Sequence, residues 1–402
     1  MRQNGNEWPE TLDVRALISS GWRPAPFREY VLKINSRCDL ACDYCYVYTM
    51  ADQSWRGQPT RMSAETVGHV VRRIAEHASA HRLDSVHLIL HGGEPLLAGR
   101  ELLSLIAGRA RSALRGITAV RISLQTNGVS LDAGNLRLLD ELDIQVAVSL
   151  DGDVTAHDRH RRRPNGQGSH ASVTAALRRL SSAPYRRLFR GLLCTVDLAN
   201  DPVDAYQALL KFDPPAIDFL LPHGNWTEPP PGMVPGSGAT PYADWLVRAF
   251  DRWYDTPVRE VRVRLFEEVI HLLLDGTSPM EGLGLEPVAI LVVETDGGVQ
   301  QSDFLKSAYA GAAHTGLHVA SDSFDEALVR PAFAARQIGA AALAATCRSC
   351  DIHRVCGAGL YAHRYRAGHG FANPSVYCAD LYRFITHVRG RLAADIAGMR
   401  AR

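Results

Sequence analysis

At 402 residues, 46% of them hydrophobic, with 44 basic against 43 acidic side chains, the chain can bury a large core and carries no global charge to attract nucleic acid or an anionic membrane. It has no run of 18 apolar residues and no basic start followed by an apolar stretch, so a cytoplasmic protein with no membrane partner and no nucleic-acid partner is expected. Eight cysteines are too few for a disulfide scaffold, and seven of them fall into two tight groups, which in a reducing compartment points to metal.

Residues 1–28 are polar and rich in Trp and Pro, and read as an N-terminal strap. After them, short apolar runs (30–35, 86–90, 120–126, 144–150, 191–196 and 216–221) alternate with stretches of helical period (63–81, 101–114, 131–142, 172–180 and 202–210). Six strands with five intervening helices over 29–225 imply parallel βαβ units, either doubly wound or closed towards a barrel. Residues 226–285 begin with a Pro, Gly and Thr-rich linker and continue with helices at 242–254 and 262–274. The last segment, 286–402, opens on a hairpin around Asp296-Gly297-Gly298 and ends in an amphipathic helix from about Asp380.

Cys38, Cys42 and Cys45 form a CxxxCxxC pattern just after the first strand. Three thiolates leave one iron of a cluster open to an external ligand. Zinc would want a fourth ligand or a nearby histidine, and no matching His spacing accompanies the loop. Further polar or flexible residues fall at strand ends: Gly92 and Gly93, which let backbone approach a ligand, with Glu94, which either accepts from an ammonium or holds the loop; then Gln125 and Asn127; then Ser149 and Asp151. The NG and DG pairs also read as plain turns. Arg161 lies in HDRHR, beside Arg159, Arg162 and Arg163, which read equally as a solvated basic stretch. Cys194 reads as a small core residue. Cys347, Cys350, Cys356 and Cys378 supply four thiolates, a closed set that suits zinc or iron and sulfur alike.

The cysteine loop, with Tyr44 ahead of Cys45, together with LHGGEPLL, resembles the radical S-adenosylmethionine (SAM) superfamily. The resemblance implies an α/β fold with a partial (β/α)6 TIM-like barrel and functional residues at the C-terminal strand ends. It further implies that Cys38, Cys42 and Cys45 hold a [4Fe-4S] cluster, on which SAM is bound and reductively cleaved to a 5′-deoxyadenosyl radical. It assigns the Gly92, Gly93, Glu94 strand end to the methionyl amino group and Arg161 to the carboxylate. Gln125, Asn127, Ser149 and Asp151 would then meet the ribose or carboxylate of SAM. CRSCDIHRVC with Cys378 resembles the C-terminal SPASM auxiliary-cluster domain, with one auxiliary four-iron cluster on Cys347, Cys350, Cys356 and Cys378. Ser302 and Leu360 stand where that module usually has cysteine, so the ligands of its first auxiliary cluster are missing.

The strings DQSWRG, RIAEH, CGAGLYAHRY and GFANPSVYCADL are most similar to maturases that build three-residue cyclophanes in ribosomally made peptides, joining an aromatic ring carbon to the β-carbon two residues later. The implied partners are a precursor peptide and an electron donor such as flavodoxin or ferredoxin. Asp303 falls where sulfatase-type maturases have an aspartate and is the expected catalytic base; its plain alternative is a hairpin aspartate bonded to backbone. His363, Arg364 and Tyr365 either line the same mouth or support the second cysteine group. Competing readings are formylglycine formation of the sulfatase type, thioether formation, and a non-enzymatic module with two structural zinc sites.

Overall fold

The computed structural model describes residues 8–400, so residues 1–7 of the expected strap lie outside the described residues. After a short helix α1 (Val14–Ser19), six strands alternate with helices: β1 (Glu29–Asn35), α2 (Ala64–Ala80), β2 (Ser85–Gly92), α3 (Arg100–Leu114), β3 (Ala119–Thr126), α4 (Ala133–Glu141) and β4 (Gln145–Ser149). Then come α5 (Val154–His160), α6 (His170–Leu180), β5 (Phe189–Thr195), α7 (Pro202–Leu210) and β6 (Ala216–Leu220). All six strands and five helices foreseen in this stretch are present, with ends shifted by one or two residues. Helix α5 was not foreseen, because HDRHR offers no apolar stripe; its start is fixed by Asp153, whose carboxylate accepts from Ala156 N–H at 2.9 Å.

Neighbouring strands from β1 to β6 pair in parallel, and the sheet remains open. A two-residue strand β7 (Arg262–Val263) ends one side, between helices α8 (Pro241–Tyr254) and α9 (Arg264–Leu273). On the other side, β8 (Ile290–Val293) pairs in parallel with β1, and β9 (Gly298–Gln300) and β10 (His314–His318) follow antiparallel. The foreseen hairpin is therefore β8–β9, turning through Gly297 at φ +104°, and one mixed ten-stranded sheet carries both the barrel strands and the start of the 286–402 segment. A C-terminal helix spans Cys378–Arg400.

Strand periodicity decides what faces the barrel interior. Tyr30, Leu32 and Ile34 of β1, Val86, Leu88 and Leu90 of β2, Ile122 and Leu124 of β3, and Val146 and Val148 of β4 belong to the main core. The alternate residues must project to the other face. They are Lys33, Asn35, His91, Gln125 and Ser149, and their polar groups gather at the C-terminal strand ends.

The described part of the strap is pinned by a clasp. Phe27 N–H donates to His77 Nε2 at 3.0 Å, which places the ring proton on Nδ1, 2.6 Å from Asp325 Oδ1; His81 Nε2 meets the same oxygen at 2.8 Å. That proton makes the trio a hydrogen-bonded clasp of strap, α2 and C-terminal segment, and His77 has no free nitrogen for a metal.

Burial lowers the pKa of His77, and likewise of His157 on α5, to about 4. Unfolded histidine titrates near 6.5, so as pH falls from about 6.5 to about 4 the unfolded chain binds protons that the folded chain refuses, and stability falls through that window. Each ring contributes up to about 3 kcal/mol. Urea unfolding at pH 7 and pH 4.5 should show a clear loss at the lower pH, smaller in a His157→Phe variant; equal loss in both would mean that His157 is not held neutral.

Candidate functional site

The three-cysteine loop follows β1 and is laid against the end of β2 by backbone. Gly93 N–H donates to Asn35 O at 2.8 Å, Glu94 N–H donates to Arg37 O at 2.8 Å, and the Asn35 amide donates to Arg37 O at 2.7 Å. A Cβ on Gly92 would sit 2.2 Å from Asn35 O, and one on Gly93 would sit 2.0 Å from the Tyr48 hydroxyl and 2.2 Å from Arg37 O. The close approach that these glycines permit is to the cysteine loop itself. Glu94 is buried and accepts from Leu96 N–H (3.0 Å), Thr126 Oγ1 (2.7 Å) and Asn127 N–H (2.8 Å); burial pushes its carboxyl up to about 7. It holds the loop, the second of its two expected roles.

Two more ties run from the loop to β3 and β4. The Asn127 amide donates to Asp39 Oδ1 at 2.7 Å and lies 3.6 Å from Cys38 Sγ. The Tyr44 hydroxyl donates to Asp151, which also accepts from Arg161 Nε at 2.8 Å and Thr195 N–H at 3.0 Å, while the Arg161 guanidinium lies 5.4 Å from the Tyr44 ring centre. Arg161 Nη1 and Nη2 make no hydrogen bond among the described residues and are not sealed from solvent. Gln125 Nε2 donates to Ser149 Oγ at 3.0 Å across the strand ends. Gly92, Gly93, Glu94, Asn127, Asp151 and Arg161 thus meet the cysteine loop or the chain leading into it, but Glu94, Asn127 and Asp151 spend most of their bonding capacity on the protein.

Burial raises the thiol pKa of Cys38, Cys42 and Cys45, Cys42 to about 11, and Arg161 partly opposes this at Cys42. Three desolvated thiols in one loop suit a cationic metal centre that favours their thiolates. In the second group, Cys347, Cys356 and Cys378 each feel another thiol of the group, so the four residues converge. The turn after Cys356 runs through Gly357, Ala358 and Gly359 at φ +56°, +62° and +68°, with its three carbonyls accepting from Arg364 at 2.6, 3.1 and 2.8 Å. Arg364 is thus a support of this group. Among the described residues, neither cysteine group brings three sulfurs within 4.8 Å of one another. Zinc at about 2.3 Å from each thiolate needs sulfurs about 3.8 Å apart, whereas a larger four-iron cluster needs them wider.

Ser302 and Leu360 converge on one place with Glu281 and Gly282: Ser302 Oγ donates to Glu281 at 3.3 Å, and a Cβ on Gly282 would sit 3.2 Å from Leu360 N. Arg336 pairs with Glu281 at 2.7 Å there, so an ion pair fills the space.

Asp303, the expected base, is an ion-paired carboxylate. It is 6% exposed and joins a chain of buried charges in which Lys33 binds Asp303, Lys306 lies 3.7 Å from its other oxygen, and Lys306 binds Glu294. The Tyr46 hydroxyl donates to it at 3.2 Å. Burial raises its pKa, but the ammonium groups of Lys33 and Lys306 outweigh that and hold the carboxyl well below the usual carboxylate range. Lys33, Lys306, Glu294 and Tyr46 were missed in the sequence. A lysine inside YVLKIN was the available signal, because an ionised side chain in a buried strand needs a partner.

A cavity of about 960 Å³ opens at this end of the barrel, lined by Asp43 and Tyr44 of the loop, His160 and Thr195, and His223 after β6. Its outer wall includes Glu228, Pro229 and Gly232, so the expected linker is a wall of the mouth, fastened by Trp226 Nε1 donating to Pro374 O at 2.7 Å. His363 stands 5.8 Å from His223 behind that wall.

Residues 32–197 match the family model of the radical SAM superfamily. This stretch is a radical SAM domain. The chain is 25% identical over 283 residues to the cysteine-type anaerobic sulfatase-maturating enzyme of Clostridium perfringens, covering 69% of this chain and 75% of that one. It is 25% identical over 394 residues to the serine-type anaerobic sulfatase-maturating enzyme of Klebsiella aerogenes, covering 94% and 90%. The fold matches that of native anSMEcpe with bound AdoMet and Cp18Cys peptide (TM-score 0.78, 23% identity, 92% and 99% covered). It also matches Streptococcus suis SuiB bound to precursor peptide SuiA (TM-score 0.56, 12% identity, 90% and 78% covered). No helix among the described residues is long and apolar enough to cross a membrane.

Two substitutions test this geometry. Gly93→Ala forces the loop off β2, and iron bound after anaerobic reconstitution should fall by about half, from the first cysteine group, while the second keeps its share. Asp303→Asn leaves Lys33 without its counter-charge, and should cost about 3–5 kcal/mol of unfolding free energy, read by denaturant titration; a loss below about 1 kcal/mol would mean that the pair is not desolvated.

Proposed function

We propose that the protein is a radical SAM maturase that oxidises a peptide side chain by two hydrogens, and that the product is a carbon–carbon crosslink between an aromatic ring and the β-carbon two residues on. The observation that carries the oxidation is the cavity between the three-cysteine loop and the face bearing His223, wide enough for a peptide segment and SAM together. The peptide-modifying part is also supported by similarity to sulfatase-maturating enzymes over most of the chain.

In this reading Cys38, Cys42 and Cys45 hold a four-iron cluster, and Cys347, Cys350, Cys356 and Cys378 in the SPASM-like segment 286–402 hold a second. When bound, these cofactors supply one-electron chemistry and the 5′-deoxyadenosyl radical. The chain's own part is positioning. Arg161 offers Nη1 and Nη2 to the SAM carboxylate, a planar fork for a planar partner, while Asp151 fixes its orientation through Nε. Gln125 and Ser149 hold each other at the strand ends and face the ribose. Glu94 and Asn127 keep the loop rigid, and Asp303 with its two lysines, outside the cavity lining, sets a fixed field beside His223. The precursor peptide lies in the mouth, and a flavodoxin or ferredoxin supplies the electron.

The crosslink is preferred on the cyclophane-like strings and on the loss of cysteine at positions 302 and 360. Formylglycine formation is the second reading, favoured by similarity to the Klebsiella aerogenes enzyme over 94% of the chain. Reconstituted protein should hold about eight irons. It should be given SAM, a reductant and two sets of synthetic peptides, one with Phe, Tyr or Trp two residues ahead of a varied position and one with Cys or Ser there. The expected product comes from the first set, lacks two hydrogens, resists fragmentation between the joined residues and ignores hydrazide reagents. A hydrazide-reactive product from the second set would replace the crosslink by formylglycine. No product from either set would overturn peptide oxidation, and 5′-deoxyadenosine from a Cys38, Cys42 and Cys45 triple Ala variant would overturn the SAM-cleaving role.

A further inference from the structure

We propose that His223 takes the proton that the peptide loses; the inference rests on the two-hydrogen oxidation above, but not on which bond the oxidation makes. His223 follows β6 and lines the cavity. Its ring is gripped by aromatics rather than by hydrogen bonds: Phe304 stacks at 5.0 Å and 26°, and Tyr46 meets it edge-on at 4.7 Å. Among the described residues, Nδ1 is buried with no hydrogen-bond partner, while Nε2 has none either and is not sealed off. In the tautomer with its proton on Nδ1, the neutral imidazole presents the Nε2 lone pair to the cavity. Burial keeps the ring neutral, with a pKa lowered to about 4 that the nearby Asp303 carboxylate partly opposes, so the charge gained on protonation faces a fixed counter-charge.

The other titratable groups of the cavity are committed or remote. His160 uses Nδ1 on Asp43 at 2.9 Å and Nε2 on Asp197 at 3.2 Å, the Tyr44 hydroxyl is held by Asp151, and the Tyr242 hydroxyl donates to Pro231 O at 2.6 Å. Glu228 is exposed on the outer wall. Asp303 does not line the cavity; its Oδ2 is engaged by Lys33 and Tyr46, and its Oδ1 is buried 3.7 Å from Lys306.

The step balances. One hydrogen leaves the peptide as an atom and ends in 5′-deoxyadenosine. The resulting radical, after closing onto the arene or while forming a carbonyl or thiocarbonyl, gives one electron to an iron–sulfur acceptor and one proton to His223 Nε2. The electron spent on cleaving SAM is thereby returned, and the proton passes to water when product leaves.

The test uses full-length holoenzyme, wild type, His223→Ala and His223→Gln, with the two peptide sets above. His223→Ala should still release 5′-deoxyadenosine while product falls about 100-fold or more, the usual worth of a general base. Added imidazole should restore part of the product in His223→Ala and none in His223→Gln, where the space is filled. Product at the wild-type rate in both variants would overturn the proposal. Loss of 5′-deoxyadenosine together with product, without imidazole rescue, would reduce His223 to a packing residue and also overturn it. Absence of product from the wild type would instead overturn the oxidation reading on which the proposal rests.

Discussion

The site depends on one backbone contact, the seam between the end of β2 and the chain leaving β1. Parallel strands normally diverge where their pairing ends. Here the pairing continues past the strands, with Gly93 and Glu94 donating to Asn35 and Arg37, so the cysteine loop starts from a fixed point. The contact excludes any side chain at Gly92 or Gly93. Glu94 then carries the constraint to β3, because its buried carboxylate gathers donors from the chain that follows it and from the Thr126–Asn127 strand end. A loop with no helix or strand of its own has its backbone groups free to pair elsewhere, so its conformation is imposed by such bonds.

The buried charges act on the same loop from the other side. A lysine pointing into a barrel costs several kcal/mol in desolvation unless it is paired, and the partner of Lys33 comes from a residue 270 positions away in sequence. Asp303 is in turn shared with Lys306, whose second partner is Glu294, so the row alternates in sign and ends on the hairpin. An alternating row lets each desolvated group see an opposite neighbour, which makes the 286–402 segment electrostatically necessary to β1. The same logic separates two kinds of polar group at the mouth. Those in the row are fixed in charge, and His223, held by ring contacts alone, keeps its bonding capacity free.

Much of this was legible in the sequence, because the barrel strands are buried on one face and alternate on the other. Runs such as VHLIL and IQVAVSL locate β2 and β4 directly, and the two glycines after Asp296 mark the hairpin. The residues around the first cysteine group were also legible, since polar side chains at strand ends have few other reasons to be there. Their division of labour was not. Whether Glu94 or Asp151 meets a ligand or another part of the chain depends on long-range contacts, such as Tyr44 with Asp151, that no spacing encodes. The pairing of Asp303 was hidden for the same reason: its two lysines are three and 270 residues away, and only the nearer lies within reach of local pattern. His223 left no signal, because a single histidine after a strand reads as a turn residue.

The sheet explains how the two cysteine groups are held with respect to one another. Residues 286–402 are not joined to the barrel through the Pro-rich connection alone. β8 pairs with β1 along its first four residues, from Glu29 to Leu32, and Thr295 Oγ1 donates to Lys33 O just beyond that pairing, at 2.8 Å. Downstream of the loop, Asp52 N–H donates to Lys306 O at 3.1 Å and Asp52 Oδ2 accepts from Gly311 N–H at 2.6 Å. The loop is therefore bracketed on both sides by contacts to the same C-terminal segment. Neither side can move without breaking sheet hydrogen bonds and exposing buried charge, so the mouth between them has a fixed width. A fixed width suits chemistry in which a reactive radical must meet one chosen carbon and no other, because positioning of that kind is lost with displacements of about 1 Å.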